Sequence, residues 1–158
     1  TTRTPSTSCA LDNLANLLET NKSLTIALLR AREALMLSFR PMLAKHNFTE
    51  QQWRVLRVLG EKGPCDAGKL ASEACILAPS LSRIINTLID NQFIEKKLDN
   101  HDKRKIILSI SNYGVETLEK IKPEYLSILK SIQKKYGEEK ISALLKLLSE
   151  ITNWNGRI

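Results

Sequence analysis

The stretch Cys75-Ile76-Leu77-Ala78-Pro79-Ser80-Leu81-Ser82-Arg83-Ile84-Ile85-Asn86-Thr87-Leu88 decides the fold. Pro79 marks a helix start, because its missing N–H costs nothing in a first turn. Leu81, Ile84, Ile85 and Leu88 recur at three and four and predict one inward face. The outward face carries Ser80, Ser82, Arg83, Asn86 and Thr87. Each can donate a hydrogen bond to a phosphate or a base edge, and none is acidic. Upstream, residues 66–75 read as a short helix, so Cys75 to Ser80 is a turn between two helices. The second helix is expected over residues 78–92. Downstream, residues 93–98 and 106–110 read as two strands around a loop with the charged tip Asp102-Lys103-Arg104-Lys105. Helix, turn, helix and basic two-stranded hairpin together predict a winged helix, a DNA-reading module. A small helical core with one hairpin fits the apolar spacing equally well. The donor-rich face and the basic tip favour nucleic acid.

The whole chain agrees in composition. It has 158 residues, 42% hydrophobic and 26% charged, enough for one domain or two packed halves with a real core. A net charge of +7 favours an anionic partner. No run approaches the roughly 18 apolar residues of a membrane span. No secretory leader pattern precedes the first helix, so a cytoplasmic protein is expected. Cys9, Cys65 and Cys75 are odd in number and match no metal spacing. They read as reduced thiols, with Cys75 packed inside the helix-turn-helix. His46 and His101 sit in no cluster with cysteines or carboxylates. No metal, no cofactor and no catalytic pair is expected, and an enzyme is the least supported class.

Residues 1–10 read as a disordered leader. Leu11, Leu14, Leu17 and Leu18 suggest a short helix, and Ser23 can cap the next one. Residues 24–46 read as one long helix despite Pro41. At about 100° per residue, Leu24, Leu28, Ala31, Leu35, Phe39 and Met42 form a main face. Leu29, Met36 and Leu43 form a second stripe. A helix apolar on two sides is buried on two sides, the second here against another subunit. Thr49 and Gln52 form a capping box. Trp53, Leu56 and Leu59 follow as a core face, which Gly60 and Gly63-Pro64 are expected to end. Ser111 opens another long helix carrying Val115, Leu118, Ile121, Tyr125, Ile128, Leu129 and Ile132, with Pro123 inside it and Tyr136-Gly137 breaking it. A last helix carries Ile141, Leu144, Leu145, Leu148 and Ile151. These faces exceed what the winged helix can cover and imply a homodimer. Two-fold symmetry would set two recognition helices about 34 Å apart on a pseudo-palindrome. The expected organisation is a leader at 1–10, N-terminal dimerisation and pocket helices at 11–48, a DNA-binding lobe at 49–111 and C-terminal dimerisation helices at 112–158. The fold class is mainly α with a small β-hairpin wing, the winged helix being embedded in a helical dimerisation domain.

At this point the residues resemble the MarR family of bacterial transcription regulators, over most of the chain from Leu24 to Ile151. The most specific match is the wing pattern: Asp102-Lys103-Arg104, then Ile110-Ser111, then Gly114. The helix start Thr49-Glu50-Gln51-Gln52-Trp53-Arg54-Val55-Leu56 and the run Pro79-Ser80-Leu81-Ser82-Arg83 also look like the family. One departure is Gln92-Phe93-Ile94 where the family commonly has Gly-Leu-Ile. The left-handed residue ending the recognition helix is then expected to be Asn91. A narrower likeness runs through Ala31-Arg32-Glu33-Ala34-Leu35-Met36, Phe39-Arg40-Pro41 and Ala74-Cys75-Ile76-Leu77. It points to the subgroup repressing operons for aromatic-acid breakdown, the homoprotocatechuate and hydroxycinnamate types. The resemblance implies a phenolic acid or its thioester as inducer, a pocket between the dimerisation helices and the winged-helix lobe, and double-stranded operator DNA as partner.

Roles follow for individual residues. Ser80, Ser82, Arg83, Asn86 and Thr87 would face the major groove, with Arg83 bidentate to a guanine. His101, Lys103 and Arg104 would form the wing tip, and Asp102 would hold the wing by pairing with Arg104. Arg54 and Lys69 are either phosphate contacts or solvated charges. Arg32 and Arg40 flank the second stripe of the long helix. Each either snorkels outward or pairs with the inducer's carboxylate. Met36, Phe39, Trp53 and Arg57 are candidate pocket walls, although Trp53 reads more simply as a core anchor. Two other classes stay open. One is an oxidant-sensing regulator using a cysteine. The other is a basic interaction module for an acidic protein, which would lack the steep salt dependence of operator binding.

Overall fold

A computed structural model describes residues 19–154; the helix expected over residues 11–18, the leader and Cys9 lie outside them. The chain divides into two compact units, Thr1–Pro41 and Met42–Ile158. A short 3-10 turn, Thr20–Lys22, precedes α1, Leu24–Lys45. The carbonyl of Ser23 accepts the Ala27 N–H at 2.9 Å, and its hydroxyl meets that of Thr25 at 3.0 Å. α1 continues through Pro41. In the first unit Leu28, Met36 and Phe39 are half-buried, whereas Leu24, Leu29, Leu35 and Leu37 are exposed. None of the helices described is long and apolar enough to cross a membrane.

In the second unit α2, Glu50–Lys62, begins with the expected capping box. Gln52 N–H donates to Thr49 Oγ1 at 3.1 Å, and Thr49 N–H donates to Gln52 Oε1 at 2.9 Å. Trp53, Val55, Leu56 and Leu59 are buried. Gly60 does not end this helix, which runs on to Lys62. A β-carbon at Gly60 would stand 2.7 Å from Leu118 Cδ1, so this glycine lets two helices approach closely. The helix stops at Gly63, whose φ of 80° suits glycine.

β1, Cys65–Asp66, was not anticipated. It leads into α3, Ala67–Ala74, capped by Asp66, whose carboxylate accepts the Lys69 N–H at 2.9 Å. Cys75 turns the chain at φ 50°, and α4, Ala78–Asp90, follows with Leu77 at its N-cap. Leu81, Ile84, Ile85 and Leu88 are buried, as their spacing predicted. β2, Ile94–Leu98, and β3, Ile106–Ile110, pair antiparallel with Ile94 opposite Ile110 and Leu98 opposite Ile106. β1 adds to the far side of β3, giving a three-stranded sheet in the order β1-β3-β2 rather than a two-stranded hairpin. Two residues are too short a run to show the strand period in sequence.

α5, Asn112–Tyr136, starts from Ser111, whose Oγ accepts the Gly114 N–H at 2.9 Å. Ile121 is fully buried on it, but Val115, expected inside, is exposed. Gly137 separates α5 from α6, Glu138–Asn153, which has no buried residue. Leu144, Leu145, Leu147, Ile151 and Trp154 are all exposed. The result is a mainly helical protein with a small sheet, the winged-helix arrangement.

The end of α4 departs from expectation. Asn91 has φ −86°, and Gln92 is the left-handed residue at φ 62°. The bonds Gln92 N–H to Ile89 O (2.8 Å) and Phe93 N–H to Leu88 O (2.9 Å) close the helix around it. A side chain in this conformation is disfavoured by about 1–2 kcal/mol, partly offset by glycine's greater freedom when unfolded. Gln92→Gly should therefore raise stability by about 0.5–1 kcal/mol. Urea unfolding would measure this, and a destabilised variant would show that the Gln92 side chain has a role of its own.

Candidate functional site

The outer face of α4 is presented as the sequence suggested. Ser80, Ser82, Arg83 and Asn86 are exposed and Thr87 is half-buried. They are not equally available. Ser82 Oγ donates to Ala78 O at 3.4 Å, and Thr87 Oγ1 donates to Arg83 O at 3.1 Å. Those hydroxyls can still accept a bond, but their protons point into the helix. Among the described residues, no hydrogen bond or ion pair occupies the side chains of Ser80, Arg83 or Asn86. The helix has no acid in its first turn.

The wing tip is built from its acids. Asp99 Oδ1 accepts the N–H groups of His101 at 2.6 Å and Asp102 at 3.0 Å. These bonds, the one from Asp102 foremost, hold the Asp99 carboxyl below its ordinary range. The Asp99 N–H donates to Lys105 O, and the Lys105 N–H donates to Asp102 O, closing the loop. Asp102 Oδ1 accepts the backbone N–H of Arg104 at 3.1 Å. This corrects the expected Asp102–Arg104 side-chain pairing: the carboxylate shapes the turn and does not engage the guanidinium. Both acids are thus spent on the backbone, and His101, Lys103, Arg104 and Lys105 remain exposed. The tip projects positive charge although it contains two carboxylates.

Arg54 is not free for phosphate. Its Nη1 donates to the carbonyls of Ala74 at 2.9 Å and Cys75 at 3.2 Å, where α3 ends. A cation there satisfies orphan carbonyls and meets the negative end of the helix dipole. Arg54 fixes the turn that aims α4, while Lys69 stays exposed. Cys75, expected inside the core, is exposed, because a left-handed residue at the turn points its side chain outward. Cys65 is the buried thiol, and burial pushes it above its ordinary pKa.

The residues suggested for an effector fall in both units. In α1, Glu33 accepts bonds from Arg32 at 2.7 Å and Arg40 at 2.5 Å. The two arginines thus share one carboxylate, with Met36 and Phe39 half-buried on the same helix. In the second unit, Arg57 Nη1 donates to Tyr125 Oη at 2.6 Å, and its guanidinium lies 4.7 Å from the Tyr125 ring centre. The Tyr125 ring is 5.8 Å from that of Trp53, which is buried. Trp53 and Arg57 are therefore joined through Tyr125, a residue read from sequence only as part of an apolar face. A hydrogen bond across 68 positions leaves no local signal. Next to these residues, the Phe48 ring meets those of Trp53 and Phe93 at tilted angles, with centres 6.4 and 5.0 Å away. A cavity of about 250 Å³ opens near Phe48, Asn91, Phe93 and Tyr113 and includes none of the expected effector residues.

The model of the MarR family matches residues 48–106, from the start of α2 to the wing. The transcriptional regulator FarR of Neisseria gonorrhoeae is 39% identical over 129 residues, covering 82% of this chain and 88% of its own. The chain belongs to the MarR family. It is a transcription regulator of the MarR type with the winged-helix DNA-binding fold. The homoprotocatechuate degradative operon repressor of Escherichia coli is 38% identical to this MarR protein over 128 residues, covering 81% of this chain and 86% of its own. The crystal structure of NadR in complex with 4-hydroxyphenylacetate superposes with a TM-score of 0.77 at 38% identity, covering 84% of this chain and 94% of that one. This MarR protein is thus similar over most of its length to a repressor named for homoprotocatechuate degradation and to a protein crystallised with 4-hydroxyphenylacetate.

Proposed function

We propose that this protein is a homodimeric repressor of an operon for the degradation of a phenolic acid, and that the acid or its thioester releases it from its operator. Ser80, Ser82, Arg83, Asn86 and Thr87 read the major groove, with Ser80, Arg83 and Asn86 contributing most. His101, Lys103 and Arg104 supply charge at the wing. The exposed apolar residues of α6, with no buried residue on that helix, support a partner subunit covering it.

The effector reading is carried by Arg57 seated on the Tyr125 ring and hydroxyl beside Trp53. A cation next to aromatic faces is what a phenolic carboxylate requires. Arg32 and Arg40, already gathered around Glu33, are the alternative cations, with Met36 and Phe39 as apolar neighbours on their helix. Kinship to a protein crystallised with 4-hydroxyphenylacetate and to a homoprotocatechuate operon repressor supports the same ligand class. Bound acid need only favour the conformation that cannot span two half-sites, by about 1–3 kcal/mol. The oxidant-sensing alternative loses support at Cys65 alone, where burial raises the pKa and suppresses the thiolate; Cys75 is exposed and is the described thiol left to carry it.

The test is release of a fluorescent operator duplex by 4-hydroxyphenylacetate and 3,4-dihydroxyphenylacetate, read by anisotropy. Wild type should be released. Arg57→Ala should need at least about tenfold more acid, the loss of one charge-assisted contact. If Arg32→Ala or Arg40→Ala has that effect and Arg57→Ala does not, the carboxylate belongs on α1. If peroxide releases the duplex and no aromatic acid does, the effector reading fails.

A further inference from the structure

Leu77 is 79% exposed, more than any other large apolar residue described. The other exposed leucines and isoleucines of the long helices sit among apolar neighbours at three and four, where a partner subunit can cover them. Leu77 sits alone, in the turn of the helix-turn-helix. Ile76 before it is buried, and Ala78, Pro79 and Ser80 after it are exposed and uncharged. It also occupies the N-cap of α4, a position that favours serine, threonine, aspartate or asparagine. Thr49, Asp66 and Ser111 supply side-chain caps to α2, α3 and α5. Leu77 supplies none to α4. The recognition helix thus forgoes a cap and leaves a leucine in water at the end that reaches base edges in helix-turn-helix docking.

We infer that Leu77 is a base-reading residue that packs on the C5-methyl group of a thymine in the major groove. A leucine cannot hydrogen-bond to a base, and the thymine methyl is the one apolar group a base pair presents in that groove. The absence of acids from the first turn of α4 leaves nothing there to repel the backbone. Arg83 and Asn86, about one and a half and two and a half turns further along, read hydrogen-bonding edges, so Leu77 adds a contact of a different chemistry. This inference rests on the DNA-binding reading above.

The experiment uses the full chain and a duplex selected by it from a randomised pool. Each thymine is replaced by uracil, which removes only the methyl, symmetrically in both half-sites. Affinities are measured for wild type and Leu77→Ala, whose substitution at an exposed position leaves the core intact. One methyl buried per half-site is worth about fourfold, so about fifteenfold for the pair of half-sites. Wild type should lose about fifteenfold at one thymine position, and Leu77→Ala should lose nothing there. If no position responds, or if the variant responds equally, the inference is wrong. A pool that never enriches sinks the DNA-binding reading itself, and this inference with it.

Discussion

Gly114→Ala should destabilise the protein by roughly 3 kcal/mol. A β-carbon at Gly114 would fall on the carbonyl oxygen of Phe93 and 2.7 Å from Ile110 Cγ1. The first obstacle is backbone, which cannot rotate away as a side chain can. That carbonyl is also in use. It accepts the Ser111 N–H at 3.0 Å, and the Ser111 hydroxyl reaches it at 3.0 Å and Gln92 O at 2.6 Å. Making room for one methyl therefore loosens the knot joining the end of α4, the start of β2 and the start of α5. Overpacking alone costs about 1–3 kcal/mol, and each hydrogen bond lost adds about 1 kcal/mol. Urea unfolding would read the difference. A variant as stable as wild type would contradict the close approach. The Ile110-Ser111 and Gly114 portion of the wing motif is thus explained by packing, and not by contact with DNA.

Arg83→Ala should weaken operator binding by about 1–3 kcal/mol, roughly 5- to 150-fold, and relax specificity at one base pair of each half-site. Arg83 is the one cation on the outer face of α4, and among the described residues no hydrogen bond or ion pair occupies its donors. Its rigid planar fork matches the two acceptors of a guanine edge, a geometry that lysine's point charge does not preorganise. The measurement is affinity for the selected duplex and its single base-pair variants. A uniform loss across all variants would reassign Arg83 to phosphate contact. Fold damage is not expected, since removing this exposed side chain breaks no internal bond.

What could be read in advance was what is local. The Thr49–Gln52 box spans three residues, and the buried face of α4 repeats over two turns, so both were visible as pattern. So was the hairpin, whose strands flank a loop of polar residues. What stayed hidden depended on distant partners. Gly60 looked like a helix breaker because Leu118, which needs the space, is far along the chain. Arg54 looked like a surface cation because the carbonyls it holds lie across the turn after α3. Asn91 is the better left-handed residue by propensity, yet Gln92 takes that place because the bond from Phe93 to Leu88 sets the register. For the candidate site, the outward-facing donors of α4 were legible since they share one helix. Tyr125 was not, since only the fold brings it to Arg57.

The charges of the wing have a consequence beyond DNA. β3 lies in the middle of the sheet, so β1 and β2 are its two open sides. An open strand invites pairing with a strand from another molecule, the first step of aggregation. β1 offers only two residues, too few to recruit a partner strand. β2 is longer, and its exposed run is Glu95-Lys96-Lys97-Leu98, two lysines beside an exposed leucine. Lysine on an edge strand disfavours pairing with an incoming chain. Engineering Lys96 and Lys97 to neutral residues to tune operator affinity would therefore also unguard the sheet, and solubility would have to be restored elsewhere.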